Sequence, residues 1–161
     1  MRLRTGFERL LEWIVIVLMS SLAVLVAVAV VYRKAGASLV WYDEIASVLL
    51  AWITFYGAAL AALRGAHIGV SAVVDAMPPG LRMAATLFAE VCVVGFFCLL
   101  AWVGYSVLEV LATDNLVSLP QISVMYTQSV IPIGSVLFVI AELLRLPEVL
   151  RAAAPRAGVN P

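Results

Sequence analysis

The sequence predicts an all-α, polytopic membrane protein with four transmembrane helices and both termini in the cytoplasm. Three observations carry this. Hydrophobic residues make up 65% of the 161-residue chain and charged residues only 12%, with a mean hydropathy of +1.10, whereas soluble domains are about half apolar and a quarter charged. A core of this size cannot hide that surplus, so lipid must solvate much of it. The apolar residues come in continuous runs long enough to cross a bilayer, not in the short alternating segments of a membrane β-barrel. Finally, lysine and arginine fall unevenly between the two sets of connecting segments.

The whole chain, 1–161, reads as a single membrane domain. Its first span is 13–32, twenty residues without a charge, or about 30 Å of helix. Ala35-Gly36-Ala37 resembles a signal-peptide cleavage site. The apolar run before it is longer than a signal core of about 7–15 residues, and Arg33-Lys34 stops it, so a membrane span is the preferred reading.

The second span is 44–63. Asp43 is expected as its N-cap, with Glu44 in the first turn where a carboxylate favours the helix dipole. Met77-Pro78-Pro79-Gly80 is a turn signal in the connector that follows. The third span, 84–110, is longer than a bilayer needs and is expected to tilt. The fourth, 124–146, contains Pro132, which predicts a kink near its first third. Pro147 opens a cytoplasmic tail, 147–161.

Orientation follows from charge. Arg2, Arg4, Arg9, Arg64, Arg82, Arg145, Arg151 and Arg156 fall on one side of a four-span topology, and only Arg33 and Lys34 on the other. The positive side faces the cytoplasm. The loops at 33–43 and 111–123 then face outward, with Tyr32, Trp41 and Tyr42 in the outer aromatic belt and Trp13 in the inner one.

The residues that stand out gather around span two. At 100° per residue, Glu44, Ser47, Ala51, Thr54, Ala58 and Ala62 share one face, and Ile45, Leu49, Trp52, Tyr56, Leu60 and Leu63 another. A small, polar face suits close helix packing, within this chain's own bundle or on another subunit. Asp43-Glu44 reads more simply as a cap at the water boundary than as an ion site. His67, the only histidine, lies beside Arg64 at the inner end. One histidine cannot supply two axial ligands to a haem.

Cys92 and Cys98 read as small buried hydrophobes, and Glu109 and Glu142 as residues near span ends. Glu90 is the acid set furthest inside a span, a depth at which an ionisable residue is a functional candidate. No carboxylate chain, paired half-helix, nucleophile–base pair, HExxH, P-loop or CxxC is present. The sequence argues against an enzyme and against a complete transporter. No cofactor or metal is expected in this chain, and no basic patch points to nucleic acid.

Two ordered blocks carry a family resemblance. The first is Trp41, Asp43-Glu44, Trp52, Gly57-Ala58, Arg64 and His67-Ile68. The second is Leu119-Pro120-Gln121-Ile122, Tyr126 and Ile131-Pro132-Ile133-Gly134. Together they resemble the small permease subunit of tripartite ATP-independent periplasmic (TRAP) transporters, the DctQ-like family. Gln121 and Ser123 depart from its more usual Leu-Pro-Ile-Pro run.

The resemblance implies a multi-pass subunit of the bacterial inner membrane. Its partners would be a large many-span permease subunit, a periplasmic substrate-binding protein and membrane lipid. Uptake of organic acids would be driven by a sodium gradient that the large subunit uses. On this reading Trp41, Asp43, Glu44, Ser47, Ala51, Thr54, Ala58, Ala62, Arg64 and His67 are candidates for the subunit interface. Asp114, Asn115 and Pro120 are candidates for docking the binding protein. Leucine at Ala51 and Ala58 is expected to weaken co-purification of the pair. Two other readings stand beside it: an assembly or anchor subunit of another membrane complex, and a small four-span exporter.

Overall fold

A computed structural model describes residues 2–65 and 77–153. They form five helices: α1 (Arg2–Lys34), α2 (Tyr42–Arg64), α3 (Pro79–Leu111), α4 (Val124–Gln128) and α5 (Val130–Ala153). α1, α2, α3 and the α4–α5 pair are each long and apolar enough to cross a membrane. The described residues contain no strand beyond one isolated antiparallel bridge, Asn115 to Ser123.

The helix limits depart from the expected spans for local reasons. α1 begins eleven residues before position 13, because Arg4, Glu8 and Glu12 stand four apart on one face and find partners on α2 and α5. Its 33 residues run about 50 Å, well past a hydrocarbon core of about 30 Å. α3 starts at Pro79, where the missing N–H costs nothing in the first turn. Trp41, with no side-chain bond, occupies the N-cap of α2; Asp43 lies inside the first turn and is not the cap.

α2 ends on Gly65 at φ 69°. Its N–H donates to the Ala62 carbonyl at 3.1 Å, a left-handed cap that glycine adopts without Cβ strain. The fourth span is interrupted at Ser129, between α4 and α5. The cause is Pro132, whose ring excludes a helical carbonyl at Gln128 and which has no N–H to bond it. Pro147, by contrast, does not end α5, which continues to Ala153.

The helices pack as an open row in the order α1–α2–α5–α3, not as a closed four-helix bundle. α1 runs against α2, since Arg4 reaches the Leu63 carbonyl and Arg64 meets Glu8. α2 and α5 run side by side in the same direction: Phe55 lies on Gly134, and Gly65 on the Arg145 guanidinium. α3 opposes α5, with Gly104 against Ile131 and Pro132, and Phe97 against Phe138. The start of α1 and the ends of α2 and α5 therefore share one edge, and the 35–41 and 112–123 loops share the other.

Leu11, Tyr56, Leu60, Leu63, Val130 and Phe138 form the buried core where α1, α2 and α5 meet. The α4–α5 span is the most enclosed: 33% of its most apolar stretch is buried, against 6–11% in the other three. α3 lines the edge of the row, and Cys92 and Cys98 are exposed free thiols on it, not buried ones. The expected burial fails because α3 has one packing neighbour among the long helices, α5.

Candidate partner face and its two collars

At the edge that carries the 35–41 and 112–123 loops, Arg33 at the end of α1 donates to the Tyr42 hydroxyl at 2.5 Å and lies 5.7 Å from its ring centroid. This closes the 35–41 loop. The Glu44 carboxylate is occupied within the chain: it accepts the Val117 N–H at 3.0 Å and the Ser118 N–H at 2.8 Å. Asp43 and Trp41 remain exposed.

Asp114, Asn115 and Pro120 are exposed on the facing loop. That loop is bonded to itself. The Leu116 N–H donates to the Ile122 carbonyl at 2.9 Å, and the Val124 N–H and Ser123 hydroxyl both donate to the Asp114 carbonyl, at 2.9 and 3.2 Å. Ser123 also accepts the Met125 N–H at 3.3 Å, capping α4.

The face of α2 divides along its length. Ser47, Ala51 and Thr54 are exposed in the first half. Ser47 and Thr54 donate their hydroxyls to the Asp43 and Leu50 carbonyls one turn back, both at 2.8 Å. With the hydroxyls satisfied inside the helix, this surface can lie against lipid or another apolar helix without an orphaned donor.

Further in, Ala58 is half-buried and packs on the core. Ala62 is fully buried, so it is closed to any partner. The bulky face is spent inside the chain: Tyr56, Leu60 and Leu63 are buried, and Trp52 donates its indole N–H to the Thr127 carbonyl at 2.9 Å. A leucine at Ala58 would therefore disturb this chain's own packing, whereas one at Ala51 would not.

At the opposite edge, Arg64 pairs with Glu8 at 2.8 Å and Glu12 at 3.1 Å, while Arg4 pairs with Glu148 and donates to the Leu63 carbonyl at 3.1 Å. These contacts tie α1 to α2 and α5. The Arg64 pairs are partly exposed, and exposed pairs contribute about 0.2–1 kcal/mol each. Arg64→Gln is expected to lower unfolding stability in detergent by no more than about 2 kcal/mol, the sum of two exposed pairs; a much larger loss would mean that Arg64 holds more than these two acids. His67 lies outside the described residues.

Sequence reasoning missed Glu142. It is only 4% exposed, the most buried charged side chain among the described residues, so it does need explanation. Glu90 on α3 and Arg145 one turn away act on it electrostatically. The signal was present in the spacing: Ser135, Phe138 and Glu142 follow at intervals of three and four, and all are buried on the same face of α5. Ser135 satisfies itself by donating to the Ile131 carbonyl at 2.6 Å. Glu90 itself is half-buried. No group of three or more histidine, cysteine or acidic side chains converges on a possible metal position among the described residues.

Comparison with known proteins adds one finding. A family model described as "Tripartite ATP-independent periplasmic transporters, DctQ component" matches residues 22–152. No curated protein matches the chain.

Proposed function

The chain belongs to the DctQ-component family of the tripartite ATP-independent periplasmic transporters, and from that membership we propose that it is the scaffold of its complex, bracing a large permease subunit and helping to dock the periplasmic binding protein. As a member of the family it is a small membrane subunit of a transporter, not an enzyme, and a multi-pass protein of the inner membrane. Within the proposal, the large subunit uses the sodium gradient and moves the substrate, an organic acid. The edge carrying Arg4, Arg64 and Arg145 faces the cytoplasm and the 112–123 loop faces the periplasm, in accord with the arginine bias.

The observation that carries the scaffold reading is the open row. A closed bundle buries its small residues against itself. Here the outer half of α2 keeps Ser47, Ala51 and Thr54 exposed although α2 lies inside the row, flanked by α1 and α5. Small residues on a helix face let a neighbouring backbone approach closely, and such approach drives association in lipid, where apolar burial does not.

Leucine at Ala51 and Thr54 together is expected to cut co-purification of the large subunit about tenfold, equivalent to about 1.4 kcal/mol. The melting temperature of the isolated chain should not change, because both side chains are exposed. Wild-type recovery of the pair from mild detergent would remove this face from the interface.

A further inference from the structure

We propose that Glu44 is a positioning residue: its carboxylate latches the 112–123 loop to the start of α2 and so fixes the shape that the outer surface presents. The loop's backbone bonds are local. Leu116 pairs with Ile122, Ile122 with Leu119, and Val124 with Asp114, all at 2.9 Å. Such bonds set the internal fold of the loop but not where it sits on the row. Two features do that. Leu116 buries its side chain, at 7% exposure. The next two backbone N–H groups, of Val117 and Ser118, both donate to the carboxylate of Glu44, some seventy residues earlier in the chain.

With Leu116 held inward and the Val117 amide captured from below, the Val117 side chain projects outward at 91% exposure. The carboxylate is suited to the task. Its two oxygens take one N–H each, and it stands in the first turn of α2, where the helix dipole favours the anion. A glutamine of the same length offers one acceptor oxygen, and its NH2 group opposes the second N–H. An aspartate is too short by one methylene to span the same gap.

The consequence for transport rests on the reading of this loop as a docking surface for the binding protein. A released loop samples other shapes, and apparent affinity falls with the fraction in the competent one. The step after docking is untouched. Loss of the latch should therefore raise the binding-protein concentration needed for half-maximal uptake and leave the maximal rate unchanged.

The test uses the assembled transporter in proteoliposomes with wild-type, Glu44→Gln and Glu44→Ala chains, read by amide hydrogen exchange and by uptake at varied binding-protein concentration. Losing a charge-assisted bond should quicken exchange at Val117 and Ser118 by about tenfold or more, with the α2 amides near Leu60 unchanged. The half-saturation should rise, less for glutamine than for alanine. Unchanged exchange at Val117 and Ser118 in both variants would overturn the latch and leave the docking reading standing. Quickened exchange with an unmoved half-saturation would keep the contact but remove its positioning role, and with it the docking surface.

Discussion

Gly134→Ala is expected to destabilise the chain, against the usual effect of alanine in a helix. In an open helical position, alanine in place of glycine stabilises by about 1 kcal/mol. At Gly134 a Cβ would lie 2.6 Å from the Cβ of Phe55, 2.9 Å from its Cδ1 and 3.0 Å from its Cγ. The nearest of these atoms cannot rotate away, because a Cβ moves only with its own backbone. The clash is relieved only if α2 and α5 part, and overpacking of this kind costs about 1–3 kcal/mol. α2 and α5 hold the middle of the row, so their separation loosens the attachment of both outer helices.

Gly95 supplies the control, since nothing lies within 4 Å of the position its Cβ would take. In unfolding titrations with dodecyl sulfate in mixed micelles, Gly134→Ala should unfold earlier than wild type. Gly95→Ala should unfold at the same point or later. Phe55→Ala keeps the offending Cβ and should restore only part of the loss at Gly134. Equal transitions for the two alanine variants would show that the α2–α5 crossing has room to spare.

The two glycines look alike in the sequence, and their difference marks where sequence reasoning stops. Each span was legible because a run of about twenty apolar residues is a property of the local chain. The division of α2 was legible too, since helical period alone sets Tyr56, Leu60 and Leu63 apart from Ser47, Ala51 and Thr54. Which face met which neighbour was not, because period says nothing of pairing across helices. Ala62 shows the failure: it lies on the small-residue stripe, yet α1 and α5 close over the second half of α2 and bury it.

Glu44 shows the same limit at the candidate site. A carboxylate in the first turn of a helix is fully explained by the dipole, so nothing local asks for another partner. Its partners are amides in a loop more than seventy residues away. The break at Ser129 was foreseen to within a few residues because Pro132 acts on its own turn. The arginines were read as a charge bias but not as Arg64 between Glu8 and Glu12, since that pairing needs α1 to extend at least about one and a half turns before its apolar run.

The second large effect is expected at Phe138, which joins the edge helix α3 to the rest. Its ring stacks on Phe97 of α3 with centroids 3.7 Å apart and planes 12° from parallel, and the side chain is 2% exposed. In a soluble core, Phe→Ala costs about 3–5 kcal/mol, part of it the loss of transfer from water and part the cavity left behind. In a bilayer the first part shrinks, because lipid is as apolar as the site and apolar burial does not drive helices together. What remains is lost dispersion and the cavity, so Phe138→Ala should cost about 2–3 kcal/mol, still a large share of a marginal stability.

The loss should be specific to the α3–α5 contact, which a double-mutant cycle with Phe97→Ala can isolate. A stacked pair couples by about 0.5–1.5 kcal/mol beyond its area, so the double variant should lose less than the two single losses added together. Strict additivity would mean that the rings are neighbours without mutual stabilisation. α3 would then be held to α5 chiefly at Gly104, where an added Cβ would lie 2.9 Å from Ile131 Cγ2 and 3.2 Å from the Pro132 ring. Coupling at Phe97–Phe138 together with a severe Gly104→Ala phenotype would place two separate points of attachment along α3, enough to fix both its position and its tilt at the open edge of the row.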